Sequence, residues 1–155
     1  MVLLSSRVFG QATAERQALK SLQKGKWDKA YSQLKQASVK DSTSAYAAYL
    51  LAVYFITPPN PDFQPDSAYR YCHKAINDFR DATSKQRERL LRQEIDSSAL
   101  IRLQQQIDSA AFARAKQLNS EESYMHYLTN FTASPKYTAE AVVLRDQSAY
   151  LEAEK

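Results

Sequence analysis

Cys72 and His73 stand side by side in a chain of 155 residues that holds one cysteine and two histidines. A thiol beside an imidazole is the raw material of a nucleophilic dyad. On a helix, however, adjacent side chains point roughly 100° apart, so these two do not face each other. Cys72 falls on the apolar stripe of its segment and His73 on the flank. No second cysteine or patterned histidine completes a metal-ligand set. His126 reads as a partly exposed side chain beside Tyr127. Glu121-Glu122, Glu152 and Glu154 are explained by solvation at helix ends, not by the split proton affinities that acid–base catalysis needs. No nucleophile elbow, Walker loop or EF-hand loop occurs. The expectation is a non-enzymatic chain with no catalytic residue, metal, cofactor or small-molecule substrate.

The ten tyrosines carry more information. Tyrosine gives large contact area at low entropic cost and is enriched at binding sites. Tyr46 and Tyr49 lie three residues apart in an apolar segment, where they serve either packing or recognition. Tyr69 and Tyr71 read as packing or outward-facing positions.

The elements that must position these residues read as helices. Only Gly10 and Gly25 are glycines, which argues against tight hairpins and against phosphate-cradling loops. No segment shows a period-two pattern bounded by strand turns. Ala14, Ala18, Leu19 and Leu22 mark a helix from Thr13, its expected N-cap, to Lys24, with Gly25 ending it. Trp27, Ala30, Tyr31, Leu34 and Ala37 mark a second helix, and residues 45–56 a third that is apolar on most sides. Four of the five prolines fall at Pro58, Pro59, Pro61 and Pro65, predicting a rigid, extended loop before a fourth helix near Pro65. A long polar helix is expected from Ser84 to about Leu118, with Asp96-Ser97-Ser98 as its one weak point. Ser120 caps a short helix to Phe131, and Ser134-Pro135 restarts the last one, which carries no stop signal. The chain is read as all-α, with about six or seven helices in antiparallel pairs.

Charge and hydropathy exclude some roles. The net charge is +4, and the densest basic run, Lys85 to Arg92, is interrupted by Glu88. It reads as the wet side of an amphipathic helix, not a nucleic-acid stripe. No stretch reaches the ~18 apolar residues a membrane span needs. Met1 to Ala12 permits two readings. It is either the end of an export signal, placing the mature protein in the periplasm or cell envelope, or the frayed tail of a cytoplasmic protein. The organisation expected is a tail or signal remnant at 1–12 and one helical domain at 13–155, a fragment of a longer protein.

Gly25, Trp27, Ala30, Leu34 and Ala37 have the spacing of the second half of a tetratricopeptide repeat, and the chain resembles that family. Asp41-Ser42 stands where the family often has Asp-Pro. Leu51, Ala52 and Phe55 match the first helix of the next repeat, and Ala68, Cys72 and Ala75 its second helix. Asp108-Ser109-Ala110 echoes Asp66-Ser67-Ala68. The resemblance is good over residues 13–83. Beyond that the chain is similar to the degenerate helix pairs of bacterial cell-envelope members, without a central glycine in the third unit. The resemblance implies an α-solenoid with a right-handed superhelix. It implies that Tyr46, Tyr49 and Val53 face a groove that holds a protein or peptide partner. The alternatives are a structural spacer in a larger envelope protein and, motivated by Arg87, Arg89, Arg92 and Arg102, a nucleic-acid-binding helical repeat.

Overall fold

Several helices of this chain begin where a side-chain oxygen accepts from a first-turn amide or a proline removes one, and three end where one residue turns left-handed. In a computed structural model describing residues 4–131 and 134–154, eight helices follow from these signals. They are α1 (Leu4–Gln23), α2 (Trp27–Lys40), α3 (Ala45–Ile56), α4 (Pro65–Arg80), α5 (Ser84–Leu91), α6 (Ser97–Leu118), α7 (Glu121–Asn130) and α8 (Pro135–Ala153). No strand occurs among the described residues.

Ser44 caps α3, its hydroxyl oxygen accepting from the Ala47 amide at 3.1 Å. Thr83 and Gln86 form a reciprocal capping box on α5, and Ser120 and Ser123 form another on α7. Pro65 and Pro135 open α4 and α8 at positions where a missing N–H costs nothing. Gly25 ends α1 at φ +64°. There the Lys26 amide donates to the Ser21 carbonyl and the Gly25 amide to the Leu22 carbonyl.

Three expectations are corrected. First, α1 does not start at Thr13 but at Leu4, across the segment read as a tail or leader. Nothing between them breaks a helix, and Gly10 costs only about 1 kcal/mol relative to alanine. Met1 to Leu3 lie outside the described residues. Second, the stretch from Ser84 to Leu118 is two helices, which brings the count to eight. The break comes just before Asp96, at Glu94, whose φ of 60° is left-handed. The Ile95 amide donates to the Leu90 carbonyl and the Glu94 amide to the Leu91 carbonyl, the same closure as at Gly25. Leu90 and Ile95 are both buried in the core, and their burial compensates a conformation usually left to glycine. Third, the proline-rich loop is not extended. The Asn60 amide donates to the Thr57 carbonyl and the Phe63 amide to the Asn60 carbonyl, giving two consecutive turns.

Asn60 explains that loop. It is 3% exposed. Its Nδ2 donates to the Tyr54 carbonyl at 2.7 Å and its Oδ1 accepts from the Asp62 amide at 3.0 Å. The Gln64 amide also donates to the Phe55 carbonyl. The loop is thus pinned to the end of α3.

The chain forms two compact units that divide after Ile101, within α6. In the first, α1 packs on α2 and α3 on α4, while α3 also touches α1 and α2. Connections of three residues (24–26) and four residues (41–44) make successive helices antiparallel. Small residues sit at these contacts: Ala30, Ala52, Ala68, Cys72 and Ala75 are all fully buried. Leu22, Leu34, Leu50, Leu51 and Tyr54 fill the space between helices. In the second unit, α7 packs on α8. Phe112 of α6 lies against Tyr127 and stacks on Tyr137, and Ser123 donates to the Ala115 carbonyl. Among the described residues, no helix is long and apolar enough to cross a membrane.

Candidate functional site

Helix α3 is apolar almost throughout, so its faces are distinguished by which neighbour covers them. Tyr46, Tyr49, Val53 and Ile56 follow one another at three- and four-residue steps and share a face. Tyr46 is only 7% exposed and belongs to the core. Tyr49, Val53 and Ile56 are half-buried. Of the three residues expected in a groove, the structure therefore keeps Tyr49 and Val53 at the surface and encloses Tyr46.

The enclosure of Tyr46 comes from α1. Glu15 of α1 is 5% exposed, and the Ser44 hydroxyl donates to its Oε1 at 2.6 Å. Ser44 thus caps α3 and ties α1 to the start of the same helix. Burial pushes the Tyr46 hydroxyl pKa above its ordinary value, and the negative charge of Glu15 adds to that rise. Glu15 lies at the helical step before Ala18 and Leu22, so its place on the buried stripe was legible in the sequence, but its partner was not.

Behind this face lies a row of aromatic rings. Tyr31 stacks on Tyr54 with centroids 5.2 Å apart, and Trp27 meets Tyr54 edge-on. Phe55 meets Tyr31 and Tyr54 edge-on and stacks on Tyr71 at 5.7 Å. Tyr54 is fully buried and donates its hydroxyl to Asp62 of the proline-rich loop. Such contacts add about 0.5–1.5 kcal/mol each beyond area burial. They join α2, α3, α4 and the loop into a stiff support for the half-open stripe.

The other residues of the expected repeat pattern are placed as follows. Leu34 and Ala37 of α2 and Leu51 of α3 are buried, Trp27 and Phe55 are half-buried, and Gly25 is exposed at its turn. Tyr71 packs against the core. Tyr69 is half-buried on the opposite side of α4.

The tempting chemistry does not assemble. Cys72 is fully buried and His73 exposed. Burial pushes the Cys72 thiol up to about 11, so it stays protonated at neutral pH. His126 is exposed. No group of three His, Cys, Asp or Glu side chains among the described residues could hold a metal ion. The sequence reading missed one buried carboxylate in the second unit. Asp108 is completely buried, and Oδ1 accepts from the Tyr127 hydroxyl at 3.1 Å. Its signal was its position beside Ile107 and Ala111 on the buried stripe of α6.

No protein-family model matches the chain, no curated protein matches it, and no solved structure matches it.

Proposed function

We propose that the chain is a non-enzymatic protein-interaction module of the tetratricopeptide type, which holds a peptide or protein partner along α3. The observation that carries this reading is the half-open stripe of Tyr49, Val53 and Ile56 on a helix whose other residues, Phe55 apart, are buried. Three apolar side chains at helical spacing, half in the core and half at the surface, offer contact area with little left to order on binding. The aromatic row behind them supplies rigidity.

The repeat reading adds the expected stacking. In this reading α1–α2 and α3–α4 are successive helix hairpins, and the contacts of α3 with α1 and α2 are the seam between them. Fully buried Ala30, Ala52, Ala68 and Ala75 support it, since small residues let helix axes approach closely. One hairpin cannot bury its apolar face alone, so stacking supplies the core.

Selection of peptides from a random displayed library, followed by amide chemical-shift mapping, tests this. The selected peptides should perturb Tyr49, Val53 and Ile56. The pair Tyr49→Ala and Val53→Ala should weaken them by about tenfold or more, with only a small loss of stability from half-buried positions. Peptides that map elsewhere, or that bind the double variant equally well, would remove α3 as the site.

A further inference from the structure

The outer side of α4 carries a feature that the α3 reading does not use. One face of α4 buries Ala68, Cys72 and Ala75 completely. The opposite face carries Tyr69, Arg70, His73, Lys74, Asn77 and Asp78, which line an open depression of about 560 Å³. The Tyr69 and His73 rings meet at 4.4 Å. Lys74 reaches from α4 to the Ser42 carbonyl oxygen at 2.5 Å and to Asp78 Oδ2 at 2.7 Å.

The charges there are unequally exposed. The Asp78 side chain is 15% exposed and that of Lys74 42%. Arg70 is exposed, with one guanidinium nitrogen donating to Ser67 Oγ at 3.1 Å. A guanidinium has five N–H donors, so most of its capacity faces outward. Lys74 is ion-paired with Asp78 and keeps one of its three ammonium donors, so the net positive charge of the depression rests on Arg70, beside the aromatic pair.

We propose that this depression is a docking surface for an acidic segment of a partner protein. The carboxylates of such a segment would meet Arg70 and Lys74, and their methylene stems would lie against Tyr69 and His73. Guanidinium groups favour carboxylates because the fork of donors matches two oxygens. An open surface of this kind suits side chains of an extended peptide better than an enclosed small molecule. The proposal does not depend on the α3 reading.

The test uses the full chain and a blocked dodecapeptide of alternating Glu and Ala, with Gln replacing Glu in a control peptide. Amide shifts at low salt should cluster at Tyr69, Arg70, His73 and Asn77 for the Glu peptide and be absent for the Gln peptide. Arg70→Glu should weaken binding by about tenfold or more, while Lys85→Glu, an equal charge change on exposed α5, should alter it by less than about twofold. Equal losses from both variants would mean attraction by net charge alone and overturn the site. So would shifts absent up to millimolar peptide, or equal binding of the Gln peptide. Tighter binding of a thymidine dodecanucleotide at the same face would overturn the choice of a protein partner. Should Arg70→Glu fail to fold, the shift map on the unaltered chain decides.

Discussion

Tyr127 donates its hydroxyl to Asp108 Oδ1 at 3.1 Å inside the second unit, with Asp108 completely buried and Tyr127 1% exposed. The phenol sits among Phe112 and Phe131, whose rings lie 5.2 and 5.8 Å from its own. A carboxylate at such depth depends on the donors around it. Tyr127→Phe keeps the ring packing and removes the hydroxyl. It should destabilise the unit by about 1–3 kcal/mol, the cost of withdrawing a donor from a buried acceptor. Urea unfolding followed by circular dichroism measures this. An unchanged midpoint would mean that the bond contributes nothing.

Alkaline pH should unfold the protein through the same kind of residue. Burial, reinforced by a neighbouring aspartate, raises the hydroxyl pKa of Tyr54 and of Tyr127 above the ordinary value. In the unfolded chain tyrosine ionises near pH 10, while in the fold these two stay protonated beyond that. Their contribution is therefore intact below about pH 10 and lost as pH rises above it, by up to ~1.4 kcal/mol per pH unit for each tyrosine. Denaturant midpoints between pH 8 and 11 should fall less steeply in Tyr54→Phe than in the parent chain. Parallel curves would contradict the assignment.

Ser44 serves two helices at once. Its oxygen accepts from the Ala47 amide, and its hydroxyl donates to Glu15. Ser44→Ala removes a helix cap and a donor to a buried carboxylate, so about 1–3 kcal/mol should be lost. Hydrogen exchange should quicken at the start of α3 and in α1 around Glu15. Faster exchange confined to α3 would show that Glu15 does not tie α1 down.

Ala52 is fully buried where α3 meets its neighbours. Ala52→Leu adds three carbons to a close-packed contact and should cost about 1–3 kcal/mol. Thermal melting checks it. A variant as stable as the parent would show slack between the helices and weaken the small-residue argument.

Much of the helix layout is legible one turn at a time. Ser44, Ser120, Pro65, Pro135 and Gly25 act on backbone groups within four residues of themselves, so they punctuate the chain whatever surrounds them. The alternation of Ala30, Leu34 and Ala37 likewise marks a face before any partner is known. Glu94 shows where such reading stops. Nothing about a glutamate announces a left-handed residue, and the turn exists because Leu90 and Ile95 both reach the core on either side of it. Asn60 is similar, since its side chain folds the proline-rich loop by bonding to a carbonyl six residues back.

Tyr46 and Tyr49 mark the same boundary. Periodicity puts both on one face of a helix, but whether that face is wet depends on the neighbour that docks there. α1 arrives with Glu15 and encloses Tyr46, while Tyr49 and Val53 stay half-open. Glu15 and Asp108 are ordinary acidic residues in the sequence and become buried ones through distant contacts, at Ser44 in one case and Tyr127 in the other. Most backbone punctuation answers to near neighbours along the chain, whereas the partner a buried side chain meets answers to helices that sequence distance does not predict.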